Sequence, residues 1–359
     1  MRNAEYWAER ALNEALMGER SVLEYENALL DAYRVALREI KKDLESFFTK
    51  YAKENKVTYA EARRRLASSE LKEFQATVKM WLEYARAQGW DRVYIQYLEK
   101  LLNMKYITRL EMLEADIRYQ IELIENNKEK NIKELMESNY LAAYYVRFHD
   151  FAVGVEMSVR FDTIDAQTLA QAVAKKWDDG NYSTRVWNDR NRLVKAMSTI
   201  LPQSFSRGLN VNKLGDMIAK ELNVSQNRGR TLARTEINNI CNQADLAVYK
   251  AAGIEQYEFV ATLDLRTSDI CRSMDGTVHK VSQAKAGINF PPMHPNCRST
   301  TVAHFADLAD LERVAKDSDG KTIRVPRKMS QEEWIKTYAP EANQEKLLKF
   351  TSKFYKTQK

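Results

Sequence analysis

Apolar residues at intervals of three and four dominate the first part of the chain. This spacing places them on one face of an α-helix about 45 Å long, at 1.5 Å per residue. Little interrupts the pattern, because no proline precedes Pro202 and glycine is sparse before it. The positions concerned are Val22, Tyr25, Leu29, Tyr33, Leu37, Ile40, Leu44, Phe47 and Tyr51.

Two further patterns extend the helical region. Thr58 and Glu61 form a capping box, which predicts that a second helix begins there. A third apolar stripe runs from Leu102 to Ile124, and the polar sequence Glu125-Asn126-Asn127 then predicts a break. Residues 1–150 are therefore interpreted as a helical arm that docks against other helices or a larger ring.

The middle of the chain is interpreted as a helical connector, residues 151–225. Phe151 to Phe161 alternates weakly, which predicts an extended connector or a short strand. Val211 to Leu222 has the spacing of a short amphipathic helix. Ser225 then begins a longer helix that ends at Gly253, a typical residue just beyond a helix C-terminus.

Strand and turn patterns appear only after this helix. Tyr257 to Leu263 alternates as in a half-buried strand, and Asp275-Gly276 predicts a two-residue type I′ hairpin. Asp319-Gly320 predicts a second hairpin, and Ser330 to Glu333 forms a capping box before a short helix. The fold class is therefore mainly α, with a long helical N-terminal arm and a small α+β C-terminal domain that contains a β-hairpin. That domain is assigned to residues 226–305, and residues 306–359 are assigned to a tail with a short helix.

Composition narrows the class of protein. With 44% hydrophobic and 30% charged residues, the 359-residue chain can bury a core. No apolar run predicts a membrane span, and the first residues lack the apolar stretch of a signal peptide. Three cysteines do not suggest a secreted disulfide framework, so we expect synthesis in a reducing cytoplasm. The net charge of +6 is compatible with nucleic-acid contact.

Candidate chemistry is concentrated between Asp264 and Arg298. Cys271, His294 and Cys297 have residue types and spacings that suit zinc, with one thiolate followed by a close His-x-x-Cys pair. His279, Asp264 and Asp269 are the candidates for a fourth ligand. The position three before Cys271 is Ser268, so a second C-x-x-C pair is missing.

Two other interpretations of the same residues stay open. In an enzymatic one, Cys271 or Cys297 is a nucleophile and His294 or His279 is its base. In a structural one, Pro291, Pro292 and Pro295 stiffen a loop that His294 and Cys297 pin by packing and hydrogen bonds. Neither cysteine has a glycine-rich oxyanion turn beside it, so no complete catalytic constellation is visible.

Arg234, Thr235 and Glu236 form a second constellation on the predicted long helix. Residues two apart project from different faces, so Arg234 and Glu236 do not pair with each other. The sequence offers Arg266, Asp275 and Arg298 as their partners. A buried ion-pair network is the first interpretation, and catalysis by Glu236 is the alternative.

These sequences resemble the phage head morphogenesis family, the Mu F-type minor head proteins of tailed bacteriophages. The resemblance lies in RTLARTEINN, GIEQYEFVATLDLRTSDICRSMDG and NFPPMHPNCRSTT, and it covers about Arg228 to Phe305. Ser268 and Ser299 depart from relatives that carry cysteine there, which weakens a cysteine-rich zinc site. The residues that match the family signature are Arg234, Thr235, Glu236, Asp264, Arg266, Cys271, Asp275, Gly276, Pro292, His294, Cys297 and Arg298.

The resemblance implies a virion component inside the head, near the portal. It implies roles in procapsid assembly and in DNA packaging or ejection. Because the residues show no complete catalytic constellation, we do not expect an enzyme. The implied partners are the portal protein, the major capsid or scaffold protein, and packaged double-stranded DNA. The alternatives are a metal- or thiol-dependent enzyme carried in the head and a general DNA-binding module.

Overall fold

The structure is a computed structural model that describes residues 4–155, 163–177, 180–304, 312–317, 319, 321–326 and 329–338. It confirms the predicted fold class, since long helices precede a small C-terminal region with antiparallel strands. In the described part of the chain, no helix is both long enough and apolar enough to cross a membrane.

Five helices form the N-terminal part, and the predicted stripe of the first is confirmed. Tyr25, Tyr33, Ile40 and Leu44 are buried along that helix. The helices are α1 (Ala4–Tyr51), α2 (Tyr59–Ala62), α3 (Ser68–Ala87), α4 (Arg92–Asn103) and α5 (Arg109–Val155).

The structure corrects two boundaries in this part. Thr58 caps a helix as predicted, because its Oγ1 accepts a hydrogen bond from the Glu61 amide at 3.2 Å. That helix, α2, has only four residues, and the next one starts at Ser68. The predicted polar break at Glu125-Asn126-Asn127 is wrong, because α5 continues through it and Glu125 is buried.

Three helices follow: α6 (Ala166–Ala174), α7 (Tyr182–Ser206) and α8 (Val211–Ala251), and α8 continues beyond residue 225, where the predicted connector ends. The start of the predicted extended segment is helical, since α5 reaches Val155, and residues 156–161 lie outside the described part. The two predicted helices around Leu222 and Ser225 are one continuous helix. Gly253 follows it with φ +69°, as a C′ glycine does.

A three-stranded antiparallel sheet follows α8. Its strands are β1 (Gln256–Val260), β2 (Val278–Lys280) and β3 (Thr300–Ala303), in the order β2-β1-β3. A short helix, α9 (Asp269–Met274), lies between β1 and β2 in the chain. The predicted two-residue hairpin at Asp275-Gly276 is therefore wrong. Glycine is still favoured there, because Gly276 has φ +74°.

The last described elements are a hairpin and a helix. β4 (Glu312–Lys316) and β5 (Thr322–Pro326) pair antiparallel, as the second hairpin prediction requires, although Gly320 lies outside the described residues. The capping box before α10 (Gln331–Tyr338) is confirmed: the Ser330 amide donates to Glu333 Oε2 at 2.7 Å.

The chain divides into two compact units, and each combines stretches that are far apart in the sequence. The first unit contains Met1–Glu26, Ile132–Tyr182 and Thr231–Lys359, and the second contains Asn27–Asn131 and Ser183–Arg230. The division into residues 1–150, 151–225, 226–305 and 306–359 stays a prediction.

Candidate functional site

The signature residues on α8 contact several parts of the first unit. Arg234 forms an ion pair with Glu26 of α1, with Nη2 3.0 Å from Oε2. Glu236 is buried and accepts a hydrogen bond from the indole nitrogen of Trp177 at 3.3 Å. The partner found for Arg234 is thus different from the three residues that the sequence offered.

Thr235 connects α8 to the proline loop, residues 291–299. Its Oγ1 accepts a hydrogen bond from the Asn296 amide at 2.9 Å and donates one to the Thr231 carbonyl at 2.6 Å. Asn238, one turn further along, donates to the Ser299 carbonyl at 2.8 Å. Asn296 has φ +60°, which asparagine tolerates better than most residues. These contacts fix the loop against the helix.

Neither asparagine was predicted from the sequence. For Asn296, its place between Pro295 and Cys297 was an available signal, because asparagine is frequent at left-handed turn positions. No comparable signal marked Asn238, since a polar residue in a long helix usually faces solvent.

Asp264 and Arg298 form a bidentate ion pair that links the two ends of the segment 264–298. Arg298 Nη2 lies 2.8 Å from Oδ1, and its Nη1 contacts Oδ2. The Arg266 amide and the Thr267 hydroxyl also donate to Oδ1, at 2.8 and 3.0 Å. Burial alone would raise the pKa of Asp264, but Arg298 and these hydrogen bonds hold it below its ordinary value. The Arg266 side chain is 73% exposed and stays 3.8 Å from the carboxylate.

The remaining signature residues fix backbone geometry. Asp275 accepts a hydrogen bond from the Ala261 amide at 2.8 Å, and the Gly276 amide donates to the Phe259 carbonyl at 2.9 Å. Both bonds tie the end of α9 to the strand region. Pro292 follows a cis peptide bond, and its carbonyl accepts from the Gly287 amide at 3.0 Å.

The structure brings together three of the four predicted metal ligands. One ligand atom each from Cys271, His294 and Cys297 lies within 4.8 Å of the others. The two sulfurs are 3.8 Å apart, and Cys271 Sγ is 3.2 Å from His294 Nε2. His279, the fourth prediction, is not in this group. It lies on β2 and its Nε2 is 2.8 Å from Thr277 Oγ1.

The two acidic candidates for the fourth position contact arginines. Asp264 is held by Arg298, and Asp269 lies 3.2 Å from Nη1 of Arg272 in the same turn of α9. The group within reach of the cluster is instead Ser268, whose Oγ is 2.7 Å from His294 Nε2.

The cysteines differ in their acidity. The hydrogen bond from the Cys271 thiol, with others from the backbone at Met293 and Ser299, outweighs burial and lowers the pKa of Cys297. The same bond to Cys297, together with burial, raises the pKa of Cys271. One thiolate is therefore favoured in the pair. A thiolate beside a second thiol and an imidazole can ligate a metal or act as a nucleophile.

The region that contains these residues is similar to a known protein family. Residues 195–302 match the family model described as "Phage Mu protein F like protein". This segment is similar to the phage Mu F-like family. The match contains the twelve residues named above as the family signature, so the recognition made from the sequence is confirmed.

A relative extends the similarity beyond the Mu F-like segment. Minor head protein GP7 of Bacillus phage SPP1 is 23% identical over 298 residues, which cover 79% of this chain and 94% of that protein. No solved structure matches the chain. Because the similarity to GP7 covers 79% of this chain, it extends well beyond the Mu F-like segment into the helical part.

Proposed function

We propose that this chain is a minor head protein of a tailed phage, a structural component of the virion. The observation that carries the proposal is the similarity to minor head protein GP7, which spans most of both chains. The Mu F-like match over residues 195–302 supports the same role, and it contains the three sequence blocks that carry the resemblance.

The contacts of the signature residues favour a structural role. Thr235, Asp264 and Asp275 all bind other parts of the first unit through hydrogen bonds or ion pairs. They connect α8, the β1 region, α9 and the proline loop. Residues used in this way hold a domain together, and a rigid domain of this kind suits assembly into a larger particle.

In finer detail, the chain binds the portal protein inside the head and takes part in procapsid assembly and in packaging or delivery of DNA. The major capsid or scaffold protein and the packaged duplex are its further partners. The long helices α1, α3 and α5 offer extended surfaces for such contacts.

Co-assembly tests this role. The full-length chain is co-expressed with the portal, scaffold and major capsid proteins of the same phage, and the lysate is sedimented through a gradient. We expect the chain to sediment with procapsids, and to be retained on immobilised portal protein when the other components are omitted. A chain that stays at the top of the gradient whenever procapsids form would contradict the proposal.

A thiol- or metal-dependent enzyme is the second candidate, favoured by the 3.2 Å contact between Cys271 Sγ and His294 Nε2. Burial weighs against a nucleophile, because Cys271 and Cys297 are only 2% and 1% exposed. Head assembly with Cys271→Ser separates the roles. Normal assembly with loss of an activity on DNA ends, cell wall or protein would favour the enzyme.

The third candidate, a general DNA-binding module, is motivated by the net charge of +6. Binding through phosphate contacts weakens steeply as salt increases, because condensed counterions are released. Titration of duplex DNA at two salt concentrations tests it. Binding that is absent, or insensitive to salt, would remove this candidate.

A further inference from the structure

The sulfur–sulfur distance in the cluster of Cys271, His294 and Cys297 matches that of a tetrahedral zinc site, and the sulfur–nitrogen distance is slightly shorter than in such a site. Two Zn–S bonds of about 2.3 Å at a tetrahedral angle hold their sulfurs about 3.8 Å apart. The two sulfurs here are 3.8 Å apart. The same geometry gives about 3.6 Å between a sulfur and an imidazole nitrogen, and Cys271 Sγ is 3.2 Å from His294 Nε2.

The orientation of His294 is a second, independent observation. Its Nδ1 lies 2.8 Å from the Pro295 carbonyl oxygen, which can only accept a hydrogen bond. Nδ1 therefore carries the proton, and in the neutral ring the lone pair belongs to Nε2. That atom is the one that faces Cys271. Metal-binding histidines commonly have their other nitrogen fixed by a carbonyl in this way.

Ser268 lies beside the fourth corner of the cluster. Its Oγ is 2.7 Å from His294 Nε2 and accepts a hydrogen bond from the Cys271 amide at 3.3 Å. Ser268 and Cys271 thus have the three-residue spacing at a helix start that paired zinc ligands use. A neutral serine hydroxyl is a poor zinc ligand, so this corner is suited to a water molecule that the hydroxyl orients.

The surroundings favour zinc over harder ions. Two thiolates and an imidazole are the ligands of soft and borderline metals, whereas magnesium and calcium require oxygen ligands. Two thiolates also balance the charge of one divalent cation. Charge balance matters because the cysteines lie in an apolar cluster, packed with Phe259, Ala261, Met274 and Met293.

From these observations we infer that Cys271, His294 and Cys297 bind one zinc ion, and that Ser268 stands beside a fourth position taken by water. The site is structural in its effect, since it joins α9 to the proline loop. A cysteine at position 268 would provide a fourth protein ligand and close the site. The inference does not depend on the proposed role in the phage head.

Metal content and affinity test this inference on the full-length chain. The protein is purified with a non-chelating reductant, loaded with zinc, dialysed and analysed for metal by mass spectrometry. We expect one zinc per chain in the wild type and none in Cys271→Ser or Cys297→Ser. Because these variants risk misfolding, circular dichroism is recorded, and cobalt is titrated into the wild type to observe thiolate-to-metal charge-transfer absorption.

Variants at the fourth position provide the sharper test. We expect Ser268→Cys to tighten zinc binding at least about tenfold in competition with a chelator, because it adds a thiolate. Ser268→Ala is the matched control and should still bind one zinc per chain. A wild type that takes up no zinc after full reduction, with no cobalt charge-transfer band, would overturn the site. Unchanged affinity in Ser268→Cys would overturn the place assigned to Ser268.

Discussion

Each unit contains a buried polar cluster, and the two clusters differ in whether the charges and hydrogen-bonding groups within them are paired with one another. In the second unit, the Lys128 ammonium lies 2.6 Å from Glu125 and 3.3 Å from Asp189. The hydroxyls of Tyr33 and Ser225 are 2.6 Å apart and complete the network. In the first unit, the cluster of Cys271, His294 and Cys297 brings three potential metal ligands together without a cationic side chain among them.

The buried polar side chains of the two clusters therefore have different roles. In the Lys128 network, opposite charges and hydroxyls from α1, α5, α7 and α8 satisfy one another, so the network specifies how these helices pack. Although burial raises it, the pKa of Asp189 is held below its ordinary value by Lys128, Ser225 and Arg192. In the thiol cluster, three potential ligand atoms lie within 4.8 Å of one another, an arrangement that can hold a cation.

The largest expected effect comes from breaking the Lys128 network. Lys128 is 1% exposed, so Lys128→Met leaves the Glu125 and Asp189 carboxylates buried without it. Loss of one partner from a buried ion pair typically costs about 3–5 kcal/mol. Chemical denaturation of both forms measures the loss.

Lys133→Met is the matched control for that substitution. Lys133 lies on the same helix and is 3.8 Å from Glu137, with its side chain 55% exposed. An exposed pair contributes about 0–1 kcal/mol. Equal losses in Lys128→Met and Lys133→Met would show that the buried network does not stabilise the second unit.

A second experiment concerns the ion pair that closes the signature region. Arg298→Ala removes both hydrogen bonds to the buried Asp264 carboxylate, and we expect a loss of about 2 kcal/mol. Arg266→Ala removes an exposed arginine 3.8 Å from the same carboxylate and should cost under about 1 kcal/mol. If Arg266→Ala cost more in thermal melts than Arg298→Ala, the assignment of the pair would be wrong.

A third prediction concerns Asp116, a side chain whose pKa is raised in the folded protein. Burial, and then the nearby Asp43, raise the pKa of Asp116 in the second unit to about 7. A carboxyl group whose pKa is raised in the folded state lowers stability as pH rises from about 4 to 7, because the unfolded form releases its proton in this range while the folded form keeps it. The partly buried Asp116→Asn variant should therefore gain about 1 kcal/mol over the wild type at pH 8.

The pH profile makes this prediction specific. The gain from Asp116→Asn should largely disappear at pH 4, where both states of the wild type are protonated to a similar extent. Asp31→Asn, at an exposed position beside Arg34, is the control and should show no such profile. A gain that does not change between pH 4 and pH 8 would contradict the raised pKa.

The smallest effect is expected at Gly276, which connects α9 to β2. A Cβ there would meet no atom within 4 Å, so the cost of Gly276→Ala is the positive φ alone, about 1 kcal/mol. Gly215, inside α8, also has room for a Cβ, so Gly215→Ala should stabilise by about 0.5–1 kcal/mol. If Gly276→Ala and Gly215→Ala shifted the melting temperature in the same direction, the positive φ assigned to Gly276 would be wrong.

Periodicity predicted the helices well because a buried face repeats over many residues. The stripe from Tyr25 to Leu44 is buried as expected, and the cap at Thr58 is present. The break at Glu125-Asn126-Asn127 was wrong for a physical reason. Glu125 is polar but buried, because Lys128 and a tyrosine 92 residues away satisfy it. Local pattern carries no information about such distant partners.

The candidate site was predictable in part. The residue types and the His-x-x-Cys spacing identified Cys271, His294 and Cys297, which the structure brings together. His279 is not among them, since it lies on β2 opposite Tyr257. The position of Ser268 beside His294 follows from the first turn of α9 and the proline loop, which spacing alone does not define.

The contrast between the two clusters is tested most directly by zinc K-edge X-ray absorption on the zinc-loaded full-length chain. Converging ligands predict two sulfur neighbours at about 2.3 Å and two lighter neighbours at about 2.0 Å. Ser268→Cys should raise the number of sulfur neighbours to three. A spectrum with only nitrogen and oxygen neighbours would show that zinc is not bound by Cys271 and Cys297, and the distinction drawn between the clusters would fail.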